Sequence, residues 1–490
     1  MKKFLRWLAV IVVLVLVGVY LVLELVIKAK PMGTATDYWA QRAKGELTHD
    51  VIGQWNFAQS VAVSLSYLEK PFFEEGEPYR LEKYTEWCKE NMFNTAVIGR
   101  QGYAFAMDDD YGWPMEMRGM GWSYALAPIA YAAASIAVIE PARTKEVVYY
   151  LGELAEAHRR PPFWLDYAIQ QQWGSPLRDN IMWKGPHLML LGLYTLVSGD
   201  KERFGPELQA LSRDVYRLHL TNMAKPEGKG RTAGVCCEPN HWFPQCNSWA
   251  VTGLALYDKI FGPDKEFGIL IGEAYRKDYL AMVKSKLQNP KSGMLRRSFH
   301  PREGFVEKFD GAFPSAFVAL MLKQYDPEWA GELYRTIRDN YVKDIPLDLG
   351  ASVLESLPTT AKGELLKRDV SVGMVGEGAL AILVMLAATR EFDDPATFDR
   401  INKTMTNIMH PRWTEYEIRF DHWWNDDETG IPNFTMGKLF NMYSGWWLWA
   451  KVHVGWSTLL HHDWAAQRDA QGNLKDYTAA PRKAPRARRG

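Results

Sequence analysis

The sequence has few cysteines and no excess of charge of either sign. Four cysteines in 490 residues are too few for the disulfide framework of a cysteine-rich secreted domain. Lysine plus arginine and aspartate plus glutamate both number 58, so the formal net charge is zero. Because binding to phosphates needs a basic surface, this balance argues against nucleic acid as a partner.

Long low-complexity linkers are also absent between Thr34 and about residue 478, which gives no sign of a domain boundary. Hydrophobic residues make up 47% of the chain, enough for a large core. Only residues 466–490 differ, because basic side chains there alternate with proline and alanine. We predict that this segment is a basic, disordered tail.

The N-terminal segment, residues 1–30, has the pattern of a membrane anchor. Lys2, Lys3 and Arg6 precede an apolar run over residues 7–27 that only Glu24 interrupts. About 20 apolar residues cross a bilayer as a helix, whereas the apolar core of a cleaved signal peptide is about 7–15 residues long. We therefore predict an uncleaved, single-pass signal anchor with the globular part outside the cytoplasm, in the periplasm.

The rest of the chain repeats one pattern. A strongly apolar segment ends at a short acidic, glycine or proline turn, and an amphipathic segment follows. Helices that are apolar all round are buried, and those with one apolar stripe lie outside them, so each unit is predicted to be an αα-hairpin. The turns lie at residues 140–141, 199–200, 262–264, 326–327 and 393–395.

Five such hairpins, with flanking helices that could form a sixth, predict an all-α fold. We expect residues 31–465 to form a closed ring of helix pairs, an (α/α)6 barrel, and an open helical solenoid is the alternative. The loops before the inner helices would then meet at one end of the barrel. Such loops, held on a rigid scaffold next to helix N-termini, are where binding groups tend to lie.

The most distinctive of these loops contains three of the four cysteines, Cys236, Cys237 and Cys246. Asn247 and Ser248, which are good N-cap residues, precede an apolar helix. The start of a helix favours the thiolate form of a cysteine, so Cys246 is a candidate for acid/base chemistry.

Three interpretations of this segment are open. Cys237 and Cys246 could form a disulfide, which an extracytoplasmic location permits. Cys236 or Cys237 could bind a metal with His241 and Cys246, although this spacing fits no standard zinc pattern. We predict the third arrangement, a pair of acid/base or nucleophilic thiols.

Several motifs resemble those of the linalool dehydratase/isomerase family, over roughly residues 36–461. The most specific is Cys237-Glu238-Pro239 followed by Phe243 and Gln245-Cys246-Asn247-Ser248. Others are Asp37-Tyr38, Asn180-Ile181-Met182-Trp183-Lys184-Gly185, Gly192-Leu193-Tyr194, Tyr257-Asp258 and Ala450-Lys451-Val452-His453.

The resemblance implies an (α/α)6 barrel, a homopentamer and a reaction without a cofactor. That family removes water from a tertiary allylic terpene alcohol, or isomerises it, so the implied partner is a hydrophobic small molecule. The implied catalytic residues are Cys237, Cys246 and Tyr124. The implied substrate-binding residues are Met182, Phe243, Phe313 and Phe317.

The sequence departs from the family at two places. The family's active-site histidine falls on Pro186, so His187 beside it and His241 within the cysteine motif are the candidate replacements. An early acidic loop aligns poorly, and Asp109 is its nearest equivalent, with a solvated acidic turn as the alternative. Dehydration needs an acid for the leaving hydroxyl and a base for a neighbouring carbon, so these residues matter to the chemistry.

Two other functions are considered. A carbohydrate-active enzyme would need two carboxylates about 5–10 Å apart in one cleft. A non-catalytic, membrane-tethered binding protein would have kept the barrel and lost the chemistry. The candidates for the carbohydrate function are Asp109, Asp310, Glu377 and Asp426, with Trp423 and Trp424 to stack on sugar rings.

Overall fold

A computed structural model describes most of the chain. The described residues are 12, 14–15, 17–18, 32–66, 70–91, 116–161, 163–164, 180–227, 229–237, 240–308, 310–359, 365–368, 377–409, 412–413, 418–419, 444–470 and 472–475. Within these residues the chain is mostly helical with few strands, which confirms the predicted class.

Three helices precede the predicted hairpins: α1 (Ala35–Lys44), α2 (His49–Ser66) and α3 (Glu82–Asn91). The first two hairpins are α4 (Glu116–Ile139) with α5 (Thr144–His158), and α6 (Ile181–Ser198) with α7 (Gly205–Met223). The next are α8 (Pro244–Phe261) with α9 (Ile271–Met282), α10 (Ala312–Leu322) with α11 (Pro327–Tyr341), and α12 (Glu377–Glu391) with α13 (Pro395–Met409). Residues 444–452 form α14, and α15 is Trp456–His461.

The division into inner and outer helices follows the sequence pattern. Every residue of α10 is buried, whereas α11 buries one stripe that includes Trp329, Leu333 and Ile337. The turn between them is set by Asp326, whose side chain accepts the N–H of Trp329 ahead of a proline at the first helical position. A capping aspartate followed by proline is a strong helix start, which is why this turn could be predicted.

The inner helices contact one another in sequence. Between α6 and α8 the approach is close, because a Cβ on Gly185 would lie 2.8 Å from the Cβ of Trp249. From α8 the contacts pass to α10 and then to α12. Helix α14 contacts α4, the first inner helix, because Trp449 stacks on Tyr131 with ring centroids 4.2 Å apart.

A sixth pair joins two distant parts of the chain, α2 and α14. The buried Lys451 Nζ donates to Asp50 Oδ2 at 3.0 Å and to Gln54 Oε1 at 3.1 Å. Burial opposes the charge of Asp50, but Lys451 together with hydrogen bonds from Thr48 and Tyr38 outweighs it, so the pKa of the carboxyl is lowered. Removal of either partner would leave a buried charge without its counterion, so this pair ties α2 to α14.

The strands are short two-stranded additions to the helices. They pair as β1 (Phe299–His300) with β2 (Phe305–Val306), β3 (Val342–Ile345) with β4 (Gly350–Val353), β5 (Glu355–Thr359) with β6 (Leu365–Arg368), and β7 (Arg412–Trp413) with β8 (Ile418–Arg419), all antiparallel. The first hairpin precedes α10 and packs beside the cysteine segment.

The two ends of the chain lie largely outside the described residues, and the anchor stays a prediction. Of residues 1–31, which include the predicted anchor, only 12, 14–15 and 17–18 fall within the described part, and these are helical. No helix among the described residues is long and apolar enough to cross a membrane. The tail was predicted to begin at residue 466, but the next two residues contact the helices. The buried Gln467 side chain donates to the carbonyl of Ala137 at 3.2 Å, and Arg468 donates to the carbonyl of Val197 at 3.0 Å. Residues 476–490 lie outside the described residues.

Candidate active site

Helix α8 places Cys246 in its first turn. The helix begins at Pro244 with Phe243 as N-cap, so the prediction that Asn247 and Ser248 cap this helix is wrong. Proline suits the first helical position because an N–H there would have no partner within the helix and because its φ is already helical. The helix therefore starts at Pro244, ahead of the predicted caps. Cys246 therefore lies where the free N–H groups and the positive end of the helix dipole favour negative charge.

Asn247 instead holds the cysteine segment against α8. Its buried side chain accepts from Val235 N–H at 2.9 Å and from Tyr275 O–H at 2.6 Å, and donates to Val235 O at 3.0 Å. Gly234 (φ +80) passes so close that an added Cβ would lie 2.2 Å from the amide oxygen of Asn247. The segment before Cys237 thus has one tightly defined path.

A tight turn fixes Cys237 itself. Its N–H donates to the carbonyl of His241 at 2.8 Å, and Asn240 within the turn has a φ of 64°. Asparagine tolerates this left-handed conformation better than most residues. The preceding carbonyl, of Cys236, accepts the N–H of Ile181 at 3.0 Å, so the turn is tied to the start of α6.

Both cysteines are thiols in the interior of the protein. Cys237 and Cys246 are fully buried and are not joined in a disulfide. Asn247, next to Cys246, accepts the N–H of Val235, two residues before Cys237. Burial raises the pKa of the nearby Tyr275 and Tyr279, and the cysteines add to this rise. The structure therefore brings the two predicted thiols to one buried region.

Tyr124 completes this group from α4. Its hydroxyl lies 3.7 Å from Cys246 Sγ, and either atom could be the donor. Its ring centroid is 6.4 Å from that of Phe313 and 6.0 Å from that of Phe317. Tyr124 of α4 is thus next to the Cys246 thiol of α8 and to two predicted substrate-binding phenylalanines, both from α10.

An aromatic wall lines this side of the inner helices. It consists of Tyr124, Trp249, Phe313, Phe317 and Trp446, with Phe317 5.0 Å from Trp249 and 5.7 Å from Trp446. Within the described part of the chain, the buried indole N–H groups of both tryptophans have no hydrogen-bond partner. Because buried donors are nearly always satisfied, these two N–H groups suit the oxygen of a bound ligand.

The tryptophans of the wall were not among the predicted site residues. Trp249 follows Cys246 by three positions, which places both on one face of α8, so this spacing could have identified it. Trp446 comes from α14, far along the chain, and no local pattern relates it to the thiols.

The other predicted substrate-binding residues lie at the starts of α6 and α8. Met182 is buried in the first turn of α6, two residues after the N-cap Asn180. Phe243 is half-buried, and its ring lies 5.7 Å from that of His241.

His187 belongs to a second buried group, the polar cluster of Ser123, His158, His187, Glu207 and Arg159. His187 Nδ1 lies 3.1 Å from His158 Nδ1, and its Nε2 lies 2.8 Å from Glu207 Oε1. Ser123 Oγ bonds His158 Nε2 at 2.8 Å, and Arg159 Nε lies 2.9 Å from Glu207 Oε2. Burial and then His187 lower the pKa of His158 well below its ordinary value.

Glu207 and Arg159 form the ion pair of the polar cluster. Burial opposes ionisation of Glu207, but Arg159 and then His187 outweigh it and lower the pKa of the carboxyl. These contacts account for His187 as a packing residue between α5, α6 and α7, and its catalytic role remains a prediction.

The remaining candidates make other contacts or lie outside the described residues. His241 is half-buried beside His300, with ring centroids 4.2 Å apart. Asp310 accepts bonds from Asn289 and Ser292, which gives it a structural role. The candidates outside the described side chains are Asp109, Glu377, Trp423, Trp424 and Asp426.

Comparison with known proteins gives one family and several solved structures. The family model described as linalool dehydratase/isomerase matches residues 123–423, more than half of the chain. A family 105 glycoside hydrolase of C. acetobutylicum ATCC 824 is 10% identical, with 71% of this chain and 96% of that chain covered and a TM-score of 0.40. An unsaturated glucuronyl hydrolase specific for heparin is 11% identical, with coverage of 82% and 97% and a TM-score of 0.43. The GH76A α-1,6-mannanase of Salegentibacter sp. HEL1_6 is 11% identical, with coverage of 81% and 98% and a TM-score of 0.41.

Proposed function

The chain belongs to the linalool dehydratase/isomerase family, and from this premise we propose that it is a cofactor-independent lyase or isomerase acting on an alkenol. The substrate class that we propose is a terpenoid or other allylic alcohol. The observation that carries the proposal is the contact between Tyr124 and Cys246, 3.7 Å apart and buried against the aromatic wall.

The fold that we propose for this reaction is an (α/α)6 barrel. Its support is the series of five hairpins, the α2–α14 pair and the return contact of Trp449 with Tyr131. A ring of this kind gathers side chains from several inner helices at one end, as Tyr124, Cys246 and Phe317 are gathered.

The proposed reaction is an elimination of water. A proton reaches the substrate hydroxyl, the C–O bond breaks with loss of water, and a base removes a proton from the neighbouring carbon to form a C=C bond. We propose that Cys246, with Tyr124, carries out one of these two proton transfers and that Cys237 carries out the other. Correctly placed acids and bases each contribute about 10²–10⁴-fold to rates.

The surroundings of the thiols suit a cationic intermediate. Aromatic faces attract positive charge, and Phe313, Phe317 and Trp249 supply such faces beside Cys246. Full burial keeps bulk water away from a cation that water would capture. The indole N–H groups of Trp249 and Trp446 would hold the hydroxyl oxygen of the substrate.

The test is turnover by the reduced full-length protein with a panel of tertiary allylic alcohols, followed by gas chromatography of the products. We expect the wild type to release a diene or an isomerised alcohol. Cys237→Ala and Cys246→Ala should each lower turnover by about 10²-fold or more.

Cys88→Ala is the matched control, because Cys88 is another buried thiol, on α3. Burial raises its pKa to about 12, so this thiol is inert at neutral pH and the variant should keep wild-type activity. Full activity in both Cys237→Ala and Cys246→Ala would refute the proposed chemistry. Binding of the alcohols without turnover by the wild type would indicate a binding protein instead.

We further propose a homopentamer, attached to the membrane through residues 1–30 with its globular part in the periplasm. The support is the apolar run over residues 7–27 and the family resemblance. Membrane fractionation with and without residues 1–30, and the mass of the assembly in detergent, would test both parts.

A further inference from the structure

A second candidate site lies about the histidine of the cysteine motif, outside the thiol group. His241, His300 and Glu307 each offer one ligand atom, and these three atoms all lie within 4.8 Å of one another. His300 Nε2 and Glu307 Oε1 are 3.5 Å apart. Within the described residues, this is the cluster of histidine, cysteine and carboxylate side chains that is close enough to hold a metal ion.

Strand pairing explains why these side chains meet. Trp242 and Phe299 exchange both backbone hydrogen bonds at 2.9 Å, so the antiparallel register puts His241 opposite His300. In the β1–β2 hairpin His300 is opposite Phe305, and Glu307 is two residues further along that strand. Opposite and diagonal neighbours share one face of a sheet, so all three side chains project from the same face.

The carboxylate has an unused oxygen. Oε2 of Glu307 is buried and, among the described residues, accepts no hydrogen bond. A buried acceptor without a donor is costly, and a bound cation would satisfy it. The side chains of His300 and Glu307 are 20% and 23% exposed, so an ion could enter and keep a water ligand.

The ligand set fits a divalent ion of the zinc class. Two imidazoles and one carboxylate are ligands for Zn²⁺, with bonds of about 2.0–2.2 Å. Neighbouring ligand atoms in a tetrahedron of that size are about 3.3 Å apart, close to the 3.5 Å between His300 Nε2 and Glu307 Oε1. The remaining distances, at most 4.8 Å, would need to shorten by up to about 1.5 Å, which a side-chain rotation can supply.

We propose that His241, His300 and Glu307 bind one Zn²⁺-class ion, which locks the Cys237 turn to the β1–β2 hairpin. The link is direct, because the carbonyl of His241 accepts the N–H of Cys237 at 2.8 Å. Asn240 in the same turn already contacts the hairpin, accepting from Arg302 N–H at 2.8 Å. The ion would be structural, and the proposed acid/base steps do not use it.

The test is metal binding to the chelator-treated full-length protein, titrated with Zn²⁺ and, for its absorption spectrum, with Co²⁺. We expect one ion per chain and a rise in the unfolding temperature on binding. Loss of a residue that merely orients a ligand lowers metal affinity about 10–100-fold. His300→Ala and Glu307→Gln, which remove ligands, should therefore weaken binding by about 100-fold or more.

The controls separate this site from others. His461→Ala removes an exposed histidine and should leave binding unchanged. Cys237→Ala and Cys246→Ala should also bind the ion, with a Co²⁺ spectrum free of thiolate bands. Absence of binding by the wild type, unchanged affinity in Glu307→Gln, or loss of binding only in the cysteine variants would overturn the proposal. None of these measurements uses alkenol turnover, so their outcomes are independent of the proposed function.

Discussion

Two buried regions begin at neighbouring residues of α4 and have opposite character. Ser123 enters the polar cluster by its bond to His158, whereas Tyr124 faces Cys246 and the aromatic wall. Consecutive residues on a helix point about 100° apart, so one turn of α4 supplies both regions. In the polar cluster the titratable groups are matched to one another, from His158 through His187 to Glu207.

The aromatic wall is not matched in this way. Trp249 and Trp446 bury indole N–H groups that have no acceptor among the described residues. Buried polar groups that hydrogen-bond one another stabilise a fold, whereas buried donors without an acceptor can bind a ligand and hold it near a thiol. The comparison assigns stability to the polar cluster and chemistry to the wall, and four measurements can test this division.

The largest expected effect is on stability, from Glu207→Ala. The variant removes one of the two carboxylates that pair with the buried Arg159, leaving Glu156, and it also removes the partner of His187, which together should lower the free energy of unfolding by about 3 kcal/mol. Urea denaturation would measure it, with the exposed Glu328→Ala, on α11, as the control that changes little. A loss below about 1 kcal/mol would mean that solvent replaces the carboxylate and that the cluster is not a stabilising unit.

The second effect is on turnover, from Tyr124→Phe. This variant keeps the ring in the aromatic wall and removes the hydroxyl 3.7 Å from Cys246 Sγ. We expect turnover to fall about 10²-fold with little change in stability. Tyr334→Phe, which loses a buried hydroxyl bonded to Asp394 at 2.8 Å, is the control that should keep full turnover. Equal activity of both variants would remove Tyr124 from the chemistry.

The third effect is a pH dependence of stability from the polar cluster. His158 has a pKa far below that of an unfolded histidine because it is buried beside His187. Below the ordinary histidine pKa of about 6.5 the unfolded chain takes up a proton that the folded chain refuses, so stability falls as pH falls.

One such histidine contributes at most about 1.4 kcal/mol per pH unit. Denaturation at pH 7.5, 6.5 and 5.5 should show a shallower loss in His158→Gln than in the wild type. Parallel losses would mean that His158 is protonated in the folded protein. Burial also lowers the pKa of His453, so part of the dependence should remain in the variant.

The smallest expected effect is from His187→Gln. Glutamine can keep a bond to Glu207, so stability should fall by only about 1 kcal/mol and turnover by less than about twofold. A measurement of kcat in the purified, folded variant decides the matter. A hundredfold loss would support the catalytic role predicted for His187 as a replacement for the family's histidine, which falls on Pro186.

Local patterns predicted much of this molecule. The hairpin turns, the buried inner helices and the position of Cys246 near a helix start follow from proline, capping residues and apolar periodicity, all of which act within a few residues. The start of α8 was misplaced because Asn247 and Ser248 resemble caps, whereas Pro244 sets the start and Asn247 instead contacts Val235 and Tyr275.

Long-range contacts could not be predicted in the same way. The pairing of Lys451 with Asp50, and of His241 with His300, depends on which segments the fold brings together. His187 shows the same limit: its sequence position suggested the active site, but helical geometry turns it towards His158 and Glu207.

The pairing of α2 with α14 has a consequence for how the chain folds during its synthesis. Asp50 and Lys451 are 401 positions apart, so α2 leaves the ribosome long before its partner is made. At about 5–20 residues per second, that interval is roughly 20–80 s. During it the apolar side of α2 has no α14 to cover it, and the nascent chain would be a natural client for a chaperone.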